Sequence, residues 1–370
     1  MSAELIHALE QLEKEKGINK KFLIDAIEAA LLSAYKKNFG SGQNVRINID
    51  HDTGEVKVFA LKKVTAVPQN EKTEISIEAA RKVNARAQEN DIIEIEVTPR
   101  KFGRIAAQAA KQVVVQRIKE AERNLIFEEF YNKEGDIVSG LIQRYDKKNI
   151  IIDLGKAEAI LLSTEQIPSE EYNFNERIKT YVIEVKRTTK GPQIFVSRTH
   201  PGLVKRLFEL EVPEIHDGIV EIKAISREPG SRTKIAVFSK DENVDPVGAC
   251  VGHKGTRVQA VVDELKGEKI DIIKWSMNPA EFISSSLSPA RVLRVDINEE
   301  EKSARVIVPD YQLSLAIGKE GQNARLSAKL TGWKIDIKSE SQLRSEIENH
   351  FFSTSLSNNY TQEFDRQNEE

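Results

Sequence analysis

The sequence has little of what secreted, membrane-spanning or disulfide-bonded proteins depend on. Among its 370 residues there is one cysteine, Cys250, so no disulfide can form within the chain. That scarcity is typical of proteins that work in a reducing cytoplasm. No apolar run approaches the roughly 18 residues that a membrane helix needs, and no basic segment followed by an apolar core marks a signal peptide. We therefore expect a cytoplasmic protein with no membrane segment.

Recognisable catalytic and metal-binding motifs are also missing. The chain has no phosphate-binding G-x-x-x-x-G-K-[ST] loop and no H-E-x-x-H pair. Five of its six histidines are scattered without the spacing of metal ligands. Cys250 lies in an Ala-Cys-Val context that predicts a small buried side chain, not a nucleophile. We expect a protein that is not an enzyme and needs no metal or cofactor.

Strong net charge is absent, but the charges are unevenly distributed. The chain has 55 Lys and Arg against 58 Asp and Glu, a net charge of −3. Residues 186–206 nevertheless hold six basic and no acidic residues, and residues 100–123 hold seven basic and two acidic ones. Such clusters indicate where a nucleic acid or partner is contacted, although they can also be solvated faces. The candidates in these clusters are Lys186, Arg187, Arg198, Arg104 and Lys111.

The most informative feature that is present occurs twice. Gly252-His253-Lys254-Gly255 and Gly318-Lys319-Glu320-Gly321 each follow a short apolar segment and precede a helix-like one. They are 66 residues apart, counted from Gly252 to Gly318. Two strand-like runs come before each motif, and a Lys-Ile-Asp-Ile step follows each. A frame repeated at this length indicates a duplicated domain.

A G-x-x-G loop between two helices is the signature of the KH fold, which clamps about four nucleotides by their backbone. Glycine permits the sharp turn and lets a phosphate approach the main chain. The next helix offers free N–H groups at its positive end. The order helix, strand, strand, helix, loop, helix, strand predicts the type II form. The predicted RNA-binding residues are Gly252, His253, Lys254, Gly255 and Arg257 in the first copy, and Gly318, Lys319, Glu320, Gly321, Gln322, Asn323 and Arg325 in the second.

The two loops differ in charge, which predicts a difference in binding. Glu320 opposes phosphate binding in the second loop, so we expect that loop to hold RNA through its backbone and Lys319. Trp275 and Trp333 end strands in the two copies, and they are expected in the cores.

The rest of the chain divides into two further folded regions and a tail. Apolar periodicity predicts two helices within 1–37, alternating strands at 45–49, 56–60 and 92–97, and a long helix at 104–130. Five short strands within 134–200 are typical of an OB barrel. The predicted domains are 1–130, 134–200, 201–278 and 279–345, followed by a polar, acidic tail at 346–370 that is expected to be disordered. The predicted fold class is multidomain α+β.

Three stretches resemble the NusA family of bacterial transcription elongation and termination factors. They are residues 102–113, 197–204 and 316–325, and the resemblance extends over about 1–345. It implies an elongated array: an α/β N-terminal domain with a long connecting helix, an S-one-type OB barrel and two tandem type II KH domains. Some members carry further acidic C-terminal repeats, and none is seen here, so regulation through such repeats is not expected.

The resemblance also implies a function and partners. The N-terminal domain would bind RNA polymerase near the RNA exit channel, with Arg104 and Lys111 as candidate contacts. Nascent RNA would pass over the barrel and the KH domains. Such a protein enhances hairpin pausing and intrinsic termination and joins other factors in antitermination. Nothing in the sequence demands a dimer, so we expect a monomer.

Two other functions stay open at this point. KH and OB modules also occur in phosphorolytic exoribonucleases, but there they follow catalytic domains in the opposite order. A ribosome-associated RNA-binding protein is the other alternative. Within the barrel, Tyr145, Tyr181 and Phe195 are the aromatic candidates for base stacking, and the sequence leaves open whether the barrel stacks bases or contacts only the backbone.

Overall fold

The computed structural model describes residues 2–17, 19–40, 44–100 and 102–348. The chain forms two compact units, residues 1–128 and 129–370. Most of the predicted tail, residues 349–370, lies outside the described residues. No helix in the described part of the chain is both long and apolar enough to cross a membrane.

The first unit combines a helical pair, a small sheet and a long helix. Asn19 caps the second helix, because its side chain accepts hydrogen bonds from the N–H groups of Lys21 and Phe22. The elements are α1 (Ser2–Lys16), α2 (Lys20–Phe39), β1 (Val45–Ile49), β2 (Val56–Thr65), β3 (Glu74–Ser76), α3 (Ile77–Val83), β4 (Ile92–Glu96) and α4 (Phe102–Tyr131). The predicted helices and strands are present, and β2 is longer than predicted.

Strand β2 is the centre of the first sheet. It pairs antiparallel with β1 along one edge and with β4 along the other, while the short β3 pairs parallel with its last three residues. Alternate residues of β1 are buried, so one face of the sheet packs on the helices. The core contains Leu9, Leu23, Ile27, Leu31, Tyr35, Val45, Ile47, Ile49, Val58, Phe102, Ala106 and Ala110.

The second unit begins with the predicted five-stranded barrel. Its strands close in the order β5-β6-β7-β9-β8. Neighbouring strands are antiparallel except β7 and β9, which run parallel. The strands are β5 (Ile137–Asp146), β6 (Asn149–Asp153), β7 (Glu158–Leu161), β8 (Arg177–Thr188) and β9 (Gly191–Ser197). This confirms the predicted OB fold.

The first KH domain follows directly. Its sheet has the order β10-β11-β12, with β10 antiparallel and β12 parallel to β11. The elements are α5 (Pro201–Glu211), α6 (Pro213–His216), β10 (Val220–Glu228), β11 (Arg232–Ser239), α7 (Pro246–Val251), α8 (Thr256–Glu264) and β12 (Lys269–Lys274). Cys250 is buried in the helical core, as predicted, and burial raises the pKa of its thiol to about 12.

The second KH domain repeats this topology. Strand β14 pairs antiparallel with β13 and parallel with β15. The elements are α9 (Pro279–Ser286), β13 (Arg294–Asn298), β14 (Ser303–Val308), α10 (Leu313–Ile317), α11 (Gln322–Thr331) and β15 (Lys334–Ser339). Trp333 is half-buried against the core of the second KH domain, as predicted. Trp275 is half-buried against a cluster that contains residues of both KH domains, so it packs where the two domains meet and not in the core of the first. The predicted fold class, an α+β chain with a barrel and two tandem KH domains, is confirmed.

A helix follows β15 at residues 340–348, across the predicted boundary at 345. Ser341 donates hydrogen bonds from its backbone and hydroxyl to Asp310, at 3.2 and 2.7 Å, which fixes the start of this helix beside the domain. Residues 346–348 of the predicted tail are therefore helical.

The modules of the second unit contact each other through buried polar groups. Lys234 of the first KH domain is fully buried, and its Nζ donates to the Ser288 carbonyl of the second at 2.8 Å. Within the second KH domain, the Ser327 hydroxyl donates to the Ser286 carbonyl at 2.7 Å and so joins α11 to α9. Because a buried polar group left without a partner is costly, these contacts require a defined packing of α9 and α11 on the first sheet.

Candidate RNA-binding surface

The first G-x-x-G loop is a tight turn between α7 and α8. Gly252 ends α7 with a φ of 75° and a ψ of 176°. Lys254 and Gly255 then adopt the left-handed conformation, with φ of 52° and 80°, before α8 begins at Thr256. Lysine rarely adopts the left-handed conformation, so the backbone of this turn is strained.

The second loop has the same backbone. Gly318 has a φ of 79°, Glu320 of 54° and Gly321 of 73°. Each value lies within a few degrees of its counterpart in the first loop. The two sequences, His-Lys and Lys-Glu between the glycines, therefore present different side chains on one shared conformation.

The two glycines of each loop serve different purposes. A Cβ on Gly252 would lie 2.7 Å from Cγ of Arg257, and one on Gly318 would lie 2.8 Å from the backbone N of Asn323. The first glycine therefore lets the two helices meet. A Cβ on Gly321 would meet no atom within 4 Å, so the second glycine is required by its positive φ and leaves open space outside the loop.

The outer side of both loops is available to a ligand. His253, Lys254, Lys319 and Glu320 are exposed. The helices that follow have nine and ten residues, and their first N–H groups and positive ends lie at the loops. Such a terminus favours an anion, and the nearby lysines add positive charge.

Two of the predicted contacts support the loops from within. Arg257 is half-buried, and its Nη1 donates to the Ala249 carbonyl at 2.7 Å and to Glu214 at 2.9 Å. Asn323 is only 2% exposed, and its Nδ2 donates to the carbonyls of Leu287, Leu315 and Ala316 at 3.0–3.3 Å. The Asn323 side chain therefore joins the helices around the second loop and is enclosed there, so the predicted RNA contact of this residue stays a prediction for its backbone alone.

Two further residues of the second motif contact the first KH domain. Gln322 donates from Nε2 to Glu228 and to the Ser231 hydroxyl, both at 2.8 Å. Arg325 donates from Nε to Glu228 at 2.6 Å while remaining about half exposed. The second loop is thereby tied to the β10–β11 hairpin of its neighbour.

Arg198 requires a correction. Its side chain is fully buried, with Nε donating to Glu170 and Nη1 to the Lys179 carbonyl, both at 2.9 Å. Its Nη2 also donates to the Glu264 carbonyl of the first KH domain at 2.9 Å. RNA cannot reach a guanidinium enclosed in this way, so Arg198 joins the barrel to the KH domain.

The remaining basic candidates of the barrel are on its surface. Lys186 is exposed, pairs with Glu184 at 2.8 Å and lies over the Phe195 ring at 5.3 Å. Arg187 is exposed beside it. Tyr181 stacks on His200 at 4.5 Å between ring centroids and packs against the first KH core, so it is structural.

The N-terminal unit contains an apolar groove of about 730 Å³. Arg104 and Lys111 are both exposed on α4, and Lys111 lines the groove. The apolar lining comes from Leu9, Ile27, Leu31, Val56, Phe102, Ala106, Ala107, Ala110, Val114 and Val115. The two basic residues were predictable from the sequence, but the groove was not. Within the described residues, no group of three or more His, Cys, Asp or Glu side chains could hold a metal ion.

Comparison with family models gives four consecutive matches. They are the NusA N-terminal domain at residues 4–124, the S1 RNA binding domain at 131–197, the NusA-like first KH domain at 198–275 and the NusA-like second KH domain at 279–345. The transcription termination/antitermination protein NusA of Bacillus subtilis is 61% identical over 344 residues, which are 93% of each chain. The chain belongs to the NusA family.

Two other NusA proteins and one solved domain are also similar to the chain. The protein from Halalkalibacterium halodurans is 59% identical over 92% of this chain and 90% of its own, and that from Thermus thermophilus is 43% identical over 91% and 90%. The solution structure of the N-terminal domain of NusA from Bacillus subtilis is 56% identical and covers 33% of this chain and 99% of its own, with a TM-score of 0.31. A member of this family is a transcription termination/antitermination protein with RNA-binding domains.

Proposed function

We propose that this NusA-family protein binds RNA polymerase and the nascent transcript together, lengthens hairpin-dependent pauses, promotes intrinsic termination and takes part in antitermination. The observation that carries the proposal is the pair of exposed G-x-x-G loops with one shared backbone conformation. They belong to a chain whose other modules match the NusA N-terminal and S1 domains. No step in this proposal is catalytic.

Each loop binds RNA weakly, through phosphate contacts that by themselves carry no sequence information. Phosphate groups approach the open side of the turn, where the N–H groups of the following helix and the exposed lysines face solvent. Because most of the binding energy comes from phosphates, affinity falls as salt rises. Attachment to polymerase raises the effective RNA concentration, which compensates for the weakness of each module.

The N-terminal groove is the proposed polymerase contact. Its apolar lining suits the apolar face of a helix, a common form of protein recognition. The lining contains two basic residues, Arg100 and Lys111, and one acidic residue, Glu55, and Arg104 is exposed on the same helix as Lys111. This balance favours a segment with acidic residues beside that face. The protein acts in the cytoplasm as a monomer, with polymerase, nascent RNA and other antitermination factors as its partners.

Single-round transcription through a hairpin-stabilised pause tests the proposal. We expect the full chain to lengthen the pause. The variant Ala107→Glu/Val115→Glu, which places charges in the groove, should abolish this effect and leave RNA affinity unchanged. Both residues are exposed on α4, and glutamate is a good helix former, so the variant should fold.

A loop variant is the matched control. Replacing His253 and Lys254 by two aspartates should weaken RNA binding and shorten the pause while polymerase binding persists. If the wild-type chain binds RNA but never changes pausing, the polymerase part of the proposal fails. Co-sedimentation with ribosomes would then identify the alternative partner.

A further inference from the structure

We propose that Tyr145 and Phe174 form a base-stacking platform for single-stranded RNA on the edge of the barrel between β5 and the segment before β8. The inference rests on the proposed RNA binding and adds a site to it. It lies outside both G-x-x-G loops. Tyr145 pairs with Ile150 of β6, so the platform borders the β6–β7 face, where OB barrels commonly bind nucleic acid, but its two rings are on neither of those strands.

Both rings are exposed. Tyr145 lies near the end of β5 and is 58% exposed, and Phe174 is 69% exposed. An aromatic side chain gains from leaving water, so two exposed rings on one barrel edge are available for a ligand. Tyr145 was predicted from the sequence as a stacking candidate, and Phe174 was not.

Backbone pairing brings the two residues to the same edge. Ile142 of β5 donates its N–H to the Glu176 carbonyl at 3.0 Å and accepts from the Asn175 N–H at 2.9 Å. The segment containing Phe174 therefore extends the ladder between β5 and β8. The Tyr145 hydroxyl also donates to the Tyr172 carbonyl, which fixes its ring. A ring held in place loses little freedom when a base stacks on it.

The face that OB barrels usually present to nucleic acid is unsuited to stacking here. Strands β6 and β7 contain no aromatic residue. Arg144 and Glu158 form a two-pronged ion pair across this face at 2.8 and 2.7 Å, and Ile151 beneath it is buried. Without an exposed ring, that face can offer little to a base.

Positive charge accompanies the aromatic edge. Lys147 and Lys148 form the turn that follows Tyr145, are exposed, and have no ion-pair partner among the described residues. On the other side, Glu176 pairs with Lys266 of the first KH domain, so the edge continues to that domain. Rings flanked by free lysines are the combination that holds the bases and phosphates of single strands.

Binding of a fluorescent single-stranded oligouridylate to the full chain tests the platform. We expect Phe174→Leu, which keeps an apolar side chain but removes the aromatic face, to raise Kd about tenfold. Phe174→Trp should restore or exceed wild-type affinity. The salt dependence should not change in either variant, whereas Lys147→Ser/Lys148→Ser should flatten it. Leu210→Ala, at an exposed apolar residue on α5, is the surface control.

The outcomes separate this inference from the proposed function. Oligouridylate containing 5-iodouracil should cross-link to the peptide that contains Phe174. If the wild-type chain binds RNA and Phe174→Leu binds equally well, the platform is refuted and the RNA function stands. If the wild-type chain binds no RNA, both are refuted. Cross-links confined to β6 and β7 would also refute the platform.

Discussion

The Nε atom of Arg325 in the second KH domain donates a hydrogen bond to Oε1 of Glu228 in the first at 2.6 Å. Both side chains are partly exposed, at 48% and 23%. A double-mutant cycle with Arg325→Ala and Glu228→Ala should give a coupling energy of about 0.5–1 kcal/mol, since water screens such pairs. Urea unfolding of the four proteins measures it. Coupling near zero would mean that Gln322 and the buried contacts alone set this interface.

The same pair should make the interface sensitive to acid. The hydrogen bond from Arg325 holds the pKa of Glu228 below its ordinary value of 4.5. Because the pKa of Glu228 is lower in the folded state than in the unfolded state, its ionised form stabilises the folded protein at pH values above the ordinary pKa. That stabilisation is lost as the pH falls through the lowered pKa of the folded state. The stability difference between wild type and Glu228→Gln should therefore be constant near neutral pH and shrink below about 4.5. A difference that grows in acid would contradict the assignment.

Arg198 should be a structural residue, not an RNA contact. Arg198→Ala leaves Glu170 buried without its cation, so we expect a loss of about 3–5 kcal/mol in the free energy of unfolding. Lys186→Ala, at an exposed basic residue of the same barrel, should change it by less than about 0.5 kcal/mol. Chemical denaturation compares the two. Near-native stability of Arg198→Ala together with weaker RNA binding would restore the original prediction.

The contrast between Arg198 and the loops shows what the sequence can predict. The G-x-x-G loops are local, since the glycines and their flanking helices lie within a few residues, so spacing alone predicted a sharp turn between two helices at each position. Arg198 pairs with Glu170, 28 residues away, and Asn323 donates to Leu287, 36 residues away. Such partners are distant in the sequence, and only the tertiary packing of each domain brings them together. A basic or polar residue in a promising segment therefore does not reveal whether it faces RNA or the interior.

Helices and strands were also predictable, because they too depend on local sequence patterns. Binding surfaces were not, because they combine residues that are distant in the sequence. Alternation along β1 and helical spacing along α2 reflect one buried face each, and both were identified. The N-terminal groove arises where Leu9, Val56 and Ala107 come together from separate elements. Phe174 is exposed in a loop segment with no periodicity. Neither feature leaves a pattern in the sequence.

The glycines of one loop should differ in their tolerance of alanine. Gly321→Ala meets no neighbour and should cost only the strain of a positive φ, about 1–2 kcal/mol. Gly318 adds a ψ of 170°, a region nearly restricted to glycine, and its Cβ would press on the Asn323 backbone. Gly318→Ala should therefore cost about 1–3 kcal/mol more. Thermal unfolding ranks the two variants by stability. Equal losses of stability would mean that α10 and α11 can move apart to accommodate the added methyl group.

Exchanging the central charges should exchange the RNA affinities of the two loops. Lys254 and Glu320 occupy the same left-handed position, with φ of 52° and 54°, so either side chain fits either loop without new strain. Glu320→Lys should strengthen RNA binding and steepen the salt dependence by about 0.7 in the log–log slope, the change expected for one further phosphate contact on a single strand. Lys254→Glu, the matched reverse change, should weaken binding and flatten the slope by a similar amount. Unfolding curves of both variants should overlay that of the wild type. If affinity does not respond to either change, the phosphates lie beyond reach of these side chains and the loops hold RNA by their backbone alone.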